Sequence, residues 1–379
     1  MKTHVVPPLV CSSERSSSQA PMIRISVLCL ALFLAMAMSA QERSLATPVI
    51  TAINDPNAGS GSGQGTLADS INNNGVIAGN YWDASGVTHG FVLATDGTFT
   101  TFDDADAGTA SGQGTGGAYG INSSGVIAAN YIDSYGAYHG LVRASDGTIT
   151  NFDPPDAGVS AGQGTYPQGI NSAGDISGYY IDGFGVYHGF VRSHMKGNTI
   201  TTFDAPSVGT ASGQGTVAYF INSSGEIAGG FANSEGVVAA LTRASDGVIT
   251  EYATSTTTYG IGINNAGTVA GQLYNGVWSG VVISADGAVT NFTVSGAADT
   301  FGFAINSAGD VTGWYLDSVG AYHGYVRAAL HGTIATFDAS GAGTANGQGT
   351  QPIAINYAGT IVGNYQDSEG VYHGFVRTQ

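Results

Sequence analysis

Short runs of alternating apolar and polar residues recur along this chain, punctuated by Asn, Asp and Gly. One full period reads YGINSSGVIAANYIDSYGAYHGLVRASDGTITNFD (119–153). The run ending in Ile-Asn, then VIAANYID, AYHGLVRA and TITNFD, each carry a strand signal. The turns between them are Asn-x-x-Gly, Asp-x-x-Gly and Asp-Gly. These residues accept left-handed backbone or cap a turn with their own side chain. No stretch beyond the N-terminus shows sustained helical periodicity.

The Ile-Asn pair recurs at Asn72, Asn122, Asn171, Asn222, Asn264, Asn306 and Asn356, at spacings of 50, 49, 51, 42, 42 and 50 residues. Such a period marks a repeat architecture. Four antiparallel strands with short turns, then a longer link, predict a β-propeller blade, the link running from an outer edge to the next inner strand. A β-solenoid is the alternative, but its coils are usually shorter and lack three hairpin turns. The residue before each Ile is small (Ser70, Gly120, Gly169, Gly262, Ala304, Ala354), except Phe220, as an innermost strand requires.

The predicted fold is an all-β, seven-bladed β-propeller with four antiparallel strands per blade. First, second and third strands number seven, but only six third strands are followed by a fourth. The final EGVYHGFVRTQ stops early. The missing strand is expected at the front, in ITAIN (50–54), whose continuation aligns on GQGT with TFDDADAGTASGQGT. Pairing of this N-terminal strand with the C-terminal blade would close the ring and remove two open edges.

Residues 22–40, MIRISVLCLALFLAMAMSA, have one Arg, an apolar run and small residues, the pattern of a secretory signal peptide. Residues 1–21 read as a misassigned start or a disordered lead, 41–48 as a short linker, and 49–379 as the single propeller. The run is short for a membrane anchor and no basic flank follows it. The chain is expected outside the cell or in the periplasm, as a monomer with no membrane span after cleavage.

Charge and cysteine content narrow the partners. Both cysteines, Cys11 and Cys29, precede the cleavage point, so the mature chain has neither disulfide nor thiol nucleophile. The net charge is −17, and removal of 1–40 takes away three cations (Lys2, Arg15, Arg24) and one anion (Glu14), giving −19. Nucleic acid and anionic membrane surfaces are poor partners, since phosphate binding needs clustered Lys and Arg. Cations, neutral glycans and basic proteins remain.

The repeats differ informatively. His occupies the third strand at His89, His139, His188, His323 and His373, replaced by Ala239 and Ser279 in units 4 and 5. The fourth-strand acid is Asp103, Asp153, Asp204 and Asp338, with Asn54 in the closing strand, and becomes Ala253 and Thr293 in those same units. Residues that change together are expected in contact. The pairs His89–Asp103, His139–Asp153, His188–Asp204, His323–Asp338 and His373–Asn54 read as structural strand locks. The second-turn acids Asp83, Asp133, Asp182, Asp317 and Asp367 are rival partners, since units 4 and 5 carry Asn233 and Asn275 there.

Units 4 and 5 also lack the DAG…GQGT linker. Its five copies, with Gln64, Gln113, Gln163, Gln214 and Gln348, are expected on one rim, as solvated crossovers or as a multivalent ligand rim with a low notch on one side. Asp103, Asp104 and Asp106 are candidates for Ca²⁺, the one cofactor considered, although no EF-hand spacing is present. Arg143, Arg192, Arg243, Arg327 and Arg377 are expected to pair with nearby acids. Trp82, Trp278 and Trp314 read as blade packing or as sugar-stacking platforms. No nucleophile elbow, phosphate loop or zinc-protease helix occurs.

The unit IN..G.I.G.Y.D..G..HGFVR..DGT.T.FD resembles the HAF family of extracellular repeat proteins, with HGF in place of His-Ala-Phe, over nearly the whole mature chain. The resemblance implies an exported bacterial protein and transfers no catalytic residues. Three functions follow as expectations. The first is a secreted or surface-associated binding module for glycans or proteins. The others are a propeller enzyme acting on polysaccharide, as lyase or hydrolase, and a structural envelope protein. An enzyme would break the repeat at one pocket with clustered carboxylates, which the sequence does not do.

Overall fold

The computed structural model describes residues 47–252 and 256–378. The expected signal segment, both cysteines and Ala253 lie outside them. One body spans Val49–Thr378 and, among the described residues, is built of strands and turns.

Each period folds as the alternation dictates. Residues 65–102 (unit 1) form four antiparallel strands, Gly65–Ile71, Ile77–Trp82, Thr88–Leu93 and Phe99–Phe102, in sequence order. The pattern repeats in 114–152, 164–203, 215–252, 257–292 and 299–337 (units 2 to 6). Residues 349–378 (unit 7) supply three strands, and the fourth place is filled by Val49–Ile53. That strand runs antiparallel to Tyr372–Thr378, with Val49 opposite Thr378 and Ile53 opposite Gly374. It lies one residue earlier than the 50–54 expected, which leaves Asn54 just beyond its end.

The turns close through their own side chains. Asn72 Oδ1 accepts from the N–H of Asn74 (2.9 Å) and of Val76 (3.0 Å). Asp83 Oδ1 accepts from Ser85 N–H (2.8 Å) and Val87 N–H (2.9 Å). This satisfies turn donors that would otherwise face water alone. The residue two after the His position points into each sheet's core: Phe91, Leu141, Phe190, Leu241, Val281, Tyr325 and Phe375 are all 0% exposed. The glycine before it is required by packing, because a Cβ on Gly90 would stand 2.5 Å from the Phe102 ring of the fourth strand.

Three devices join one unit to the next. First, the Ile-Asn asparagine reaches sideways. Asn72 Nδ2 donates to Asn122 O (3.0 Å), Asn122 to Asn171 O (3.2 Å), Asn171 to Asn222 O (3.4 Å), Asn222 to Asn264 O (3.0 Å) and Asn264 to Asn306 O (3.3 Å). Asn356 Nδ2 donates to Asn72 O (3.2 Å), linking unit 7 to unit 1. All seven asparagines are buried and line one cavity of about 200 Å³.

Second, the GQGT segment staples neighbours. Its second Gly makes a parallel bridge to the third strand of the preceding unit, Gly65 to Tyr372 and Gly114 to Thr88. A Cβ on Gly65, at φ +122, would stand 2.0 Å from Tyr372 O, so no other residue fits. The Thr that follows is buried, and the hydroxyls of Thr66, Thr115, Thr216 and Thr350 accept from the fourth-strand end, as Thr115 does from Asp104 N–H at 2.8 Å, while Thr165 donates to the Asp153 carboxylate because Pro154 has no N–H.

Third, each third-strand Arg stacks on the fourth-strand Phe of the unit before it. The centroid distances are 5.3 Å for Arg143 on Phe102, 5.1 Å for Arg192 on Phe152 and 4.8 Å for Arg243 on Phe203. Arg327 on Phe292 and Arg377 on Phe337 follow at 5.0 Å and 4.8 Å. This corrects the expectation of Arg–acid pairs: among the described residues every close ion pair involves a His. The guanidinium plane is weakly hydrated and gains more from a ring face in a half-buried seam than from a solvated carboxylate. Where the Phe is absent the Arg is absent too: Leu93 follows Ile53, and Ile283 follows Tyr252.

Candidate functional site

Register places first-strand starts, second-strand ends and third-strand starts at one end of every sheet: Gly65 faces Trp82, and Trp82 faces Thr88. The GQGT segments and second turns lie at this end, with the His residues. The Asn turns lie at the other.

Each repeated His is held between both of the acids expected to compete for it. His139 Nδ1 is 2.8 Å from Asp153 and its Nε2 is 3.5 Å from Asp133. His89 stands 3.0 Å from Asp103 and 3.7 Å from Asp83, and His188 3.0 Å from Asp204 and 3.6 Å from Asp182. His323 stands 2.9 Å from Asp338 and 3.5 Å from Asp317. His373 contacts Asn54 at 2.7 Å and Asp367 at 3.2 Å. The second-turn Asp serves twice, one oxygen capping its turn and the other facing Nε2. Asn233 keeps the first task in unit 4, where there is no His to serve.

A ring on the second strand completes each set. Tyr131 stacks on His139 at 4.8 Å, and Tyr81, Tyr180, Tyr315 and Tyr365 stack on their own His at 4.8 to 5.0 Å. In units 4 and 5 the Tyr and the imidazole are replaced together, by Phe231 with Ala239, which keeps a ring, and by Leu273 with Ser279, which does not. Sequence comparison missed the Tyr, although this covariation marks it.

These sets give stability a pH dependence of defined sign. Burial alone would lower the pKa of His139 and His323, but hydrogen bonds and charge from Asp153 with Asp133, and from Asp338 with Asp317, raise both. Their contribution is fully present below the unfolded His value of about 6.5 and is lost as pH rises through the raised folded values. Asp133 is lowered: burial opposes, but Ala137 and Tyr135 N–H groups and His139 prevail. Asp317 is lowered chiefly by the Ala321 N–H. Both contribute above about pH 3.9 and lose that contribution as pH falls. Thermal melts should therefore peak in mildly acid solution. His139→Gln with His323→Gln should flatten the decline above pH 6.5, and an unchanged decline would contradict this assignment.

The linker glutamines are engaged within the fold. Gln64 Oε1 accepts from Gly61 N–H (2.9 Å) and its Nε2 donates to Ala84 O (3.1 Å), in the second turn of unit 1. Gln113 is held by Ala110 and Ser134, and Gln214 by Ala211 and Ser234. Gln163 and Gln348 accept from Ser160 and Ala345 N–H. The three Ca²⁺ candidates do not converge. Asp103 faces His89, while buried Asp104 accepts from Asp106 N–H (2.9 Å) and Asn151 (3.2 Å). Among the described residues no group of three or more His or acidic side chains is placed to hold a metal.

Aromatic rings gather at the linker end. Three positions there, one on each of the first three strands, vary from unit to unit. They hold Tyr166, Tyr179 and Tyr187 in unit 3, and Phe301, Trp314 and Tyr322 in unit 6. Tyr138, Tyr166, Tyr179 and Tyr187 form a continuous stack, with successive centroids 4.4, 4.9 and 5.7 Å apart. A second array runs from Tyr274 to Trp278 (5.1 Å), Phe301 (5.7 Å) and Trp314 (6.0 Å), with Tyr259 beside Trp278 (6.1 Å). It continues inward through Phe303 (5.3 Å) to Phe220 (6.3 Å), which lines the axial cavity. Tyr274 is 44% exposed, and Trp278, Phe301 and Trp314 are half-buried.

Between the arrays, unit 4 carries Val217, Gly230 and Val238 at the same positions. It leaves a cleft of about 120 Å³ walled by Tyr187 and Tyr259. Burial pushes the Tyr166 and Tyr179 hydroxyls well up, and that of Tyr219 to about 12. The sequence singled out Trp82, Trp278 and Trp314; the last two belong to the second array, whereas Trp82 lies outside both, 5.7 Å from Tyr372. The tyrosines are spread over different strands and units, which a unit-by-unit reading does not assemble.

No family model and no curated protein matches the sequence. Solved structures resemble it in shape. The BP39L lectin from Burkholderia pseudomallei aligns with TM-score 0.50 and 8% identity, over 82% of this chain and 94% of that one. TolB from Acinetobacter baumannii aligns with TM-score 0.40 and 11% identity, over 90% of this chain and 82% of its own. The Aleuria aurantia lectin, described as a six-bladed β-propeller with a novel fucose recognition mode, aligns with TM-score 0.40 and 13% identity, over 76% and 95%. At such identities the likeness bears on fold alone, and with the repeated four-stranded sheets it makes this chain an all-β protein of the β-propeller kind.

Proposed function

We propose that the protein is an exported, non-enzymatic glycan-binding module, built as a seven-bladed β-propeller of HAF-type repeats and closed by its N-terminal strand. Seven four-stranded units and the pairing of Val49–Ile53 with Tyr372–Thr378 support the architecture. Export is supported by the signal-like segment 22–40; among the described residues no helix is long and apolar enough to cross a membrane. The BP39L neighbour is itself a lectin, so the fold is used for carbohydrate elsewhere, although fold alone does not assign function.

The observation that carries the reading is the aromatic content of the positions that escape the repeat. Residues shared by most units are spent on turns, staples and cores. In units 3, 5 and 6 the positions that differ include half-buried rings at one end, the arrangement that stacks on the apolar faces of sugar rings. The linker glutamines, bonded internally, act as scaffold in this reading.

A glycan array with purified 41–379 tests it. Binding to a subset of neutral or amino glycans is expected. Trp278→Ala and Trp314→Ala should each weaken it at least about tenfold, the loss of roughly 1.4 kcal/mol, with melting shifted little because both rings are half-buried. Affinity unchanged in both variants would refute the site.

A further inference from the structure

The third turn of unit 3 departs from the repeat. Asp-Gly closes this turn in units 1, 2, 4 and 5, through Asp96, Asp146, Asp246 and Asp286. In unit 3 it reads SHMKGN (193–198). The acid is lost, and His194 is gained with Lys196, the only lysine beyond residue 2. The change alters the setting of Arg192. Arg143 and Arg243 each donate Nη1 to the next carbonyl, Ala144 O (3.4 Å) and Ala244 O (3.3 Å), and each feels the charge of its own turn's Asp146 or Asp246. Arg192 has no such acceptor and no such acid among the described residues. One face of its guanidinium lies over the Phe152 ring at 5.1 Å, and the side chain is 5% exposed. Its nitrogens are nevertheless not sealed. The Nε atoms of Arg143, Arg243 and Arg377 are buried without a partner, whereas no nitrogen of Arg192 is. Arg192 opens on a cavity of about 370 Å³ in the seam between units 2 and 3, at the end of the sheets where the Asn turns lie.

The lining of this cavity has one chemical character. Arg192 and His194 supply donors, Thr148, Thr150 and Ser172 carry hydroxyls, and Asn198 carries an amide. No carboxylate lines it, whereas Glu226 and Asp286 line the equivalent cavity between units 4 and 5. The His194 ring stands against the wall, since a Cβ on Gly174 would lie 3.3 Å from its Cγ. Asp175, next in the chain to Gly174, is already committed. Its Oδ1 accepts from the Ser193 hydroxyl (3.0 Å) and the His194 N–H (2.9 Å), and its Oδ2 from Asn171 (3.4 Å). A largely buried guanidinium without an acceptor is costly, and its planar fork matches the paired oxygens of a carboxylate or sulfate. The hydroxyls and the amide suit a polyhydroxylated body, and the volume is that of a small-ligand site. The acidic chain repels anions at long range, but that field is screened over about 8 Å in physiological salt.

We propose that this seam cavity binds an acidic sugar, with Arg192 paired to its carboxylate or sulfate and His194 beside it. The site lies at the opposite end of the sheets from the aromatic arrays and does not depend on them. Saturation-transfer NMR titration of 41–379 with glucuronate, glucose 6-sulfate, glucose and inorganic sulfate tests it. At least one acidic sugar should bind at least about tenfold more tightly than glucose or free sulfate (roughly 1.4 kcal/mol), and the tighter of the two identifies the acid. His194→Glu sets a carboxylate at the cavity from an exposed position, and should abolish that preference with melting unchanged. Arg192→Lys keeps the charge but loses the fork, and should weaken binding at least about tenfold. Arg243→Lys alters the same stack between units 3 and 4 and should leave binding unchanged, which separates the fork from seam packing. Acidic sugars bound no better than glucose, or a preference that survives His194→Glu, overturn the site. Free sulfate bound as tightly as either acidic sugar overturns the sugar assignment. Either result leaves the aromatic site standing, because its own test is binding that depends on Trp278 and Trp314.

Discussion

Deleting residues 47–54 should lower stability by at least about 4 kcal/mol and turn the protein into an aggregating species. The deletion removes the whole ladder between Val49–Ile53 and the last strand. It also removes Ile53, 4% exposed, which packs with Ala68, Phe91 and Val362 from units 1 and 7. Loss of a buried Ile alone costs about 2–5 kcal/mol, and each net ladder bond adds about 1 kcal/mol. His373 loses Asn54 as well. The strand left bare, Tyr372–Thr378, presents unpaired backbone and is a template for intermolecular pairing. Urea unfolding followed by fluorescence, with light scattering, measures both effects. A truncated protein with the wild-type midpoint and no scattering would show that this strand is dispensable.

The second large effect is expected at the asparagine ring. Asn122→Ala should cost about 3–4 kcal/mol, more than most single surface changes. Asn122 is 6% exposed and makes three bonds: its Oδ1 accepts from Ser124 N–H (3.0 Å) and Val126 N–H (3.1 Å), and its Nδ2 donates to Asn171 O (3.2 Å). Removing it strands two part-buried turn donors and a buried carbonyl, and the buried unmade bond costs most. Asn122→Asp separates the two tasks. It keeps the turn acceptor but sets a carboxylate against the Asn171 carbonyl, so its loss reports the broken inter-unit bond together with that repulsion, without loss of the turn cap. Equilibrium unfolding of both variants checks this, and a change below about 0.5 kcal/mol for Asn122→Ala would mean the ring is decorative.

Much of the architecture is legible in the chain because repetition makes every unit a control for the others. Strand alternation and the two candidate acids for each His follow from aligning units on Ile-Asn, and GQGT places the missing seventh fourth strand at the front. Asn72 and its equivalents were legible only as turn residues, because the Asx turn explains an Asn completely; the free Nδ2 points to a neighbour some fifty residues away, which no local pattern shows. Arg143 was misread for a related reason. Its partner Phe102 is in the preceding unit, while acids lie close in sequence, although the joint loss at Leu93 with Ile53 and at Ile283 with Tyr252 carries the signal. Gln64 and its equivalents looked free because their acceptors and donors are backbone groups. The aromatic arrays were hidden because they are departures from the repeat, and departures align only once the sheets are placed side by side.

Those departures carry the functional claim, so the most direct measurement is a crystal structure of residues 41–379 soaked with an oligosaccharide selected on the glycan array. The account predicts a sugar ring stacked on the Trp278–Phe301–Trp314 face, with the chain directed toward Phe303 and the axis. Sugar density on the linker rim around Gln64 and Gln113, with the aromatic arrays bare, would contradict it.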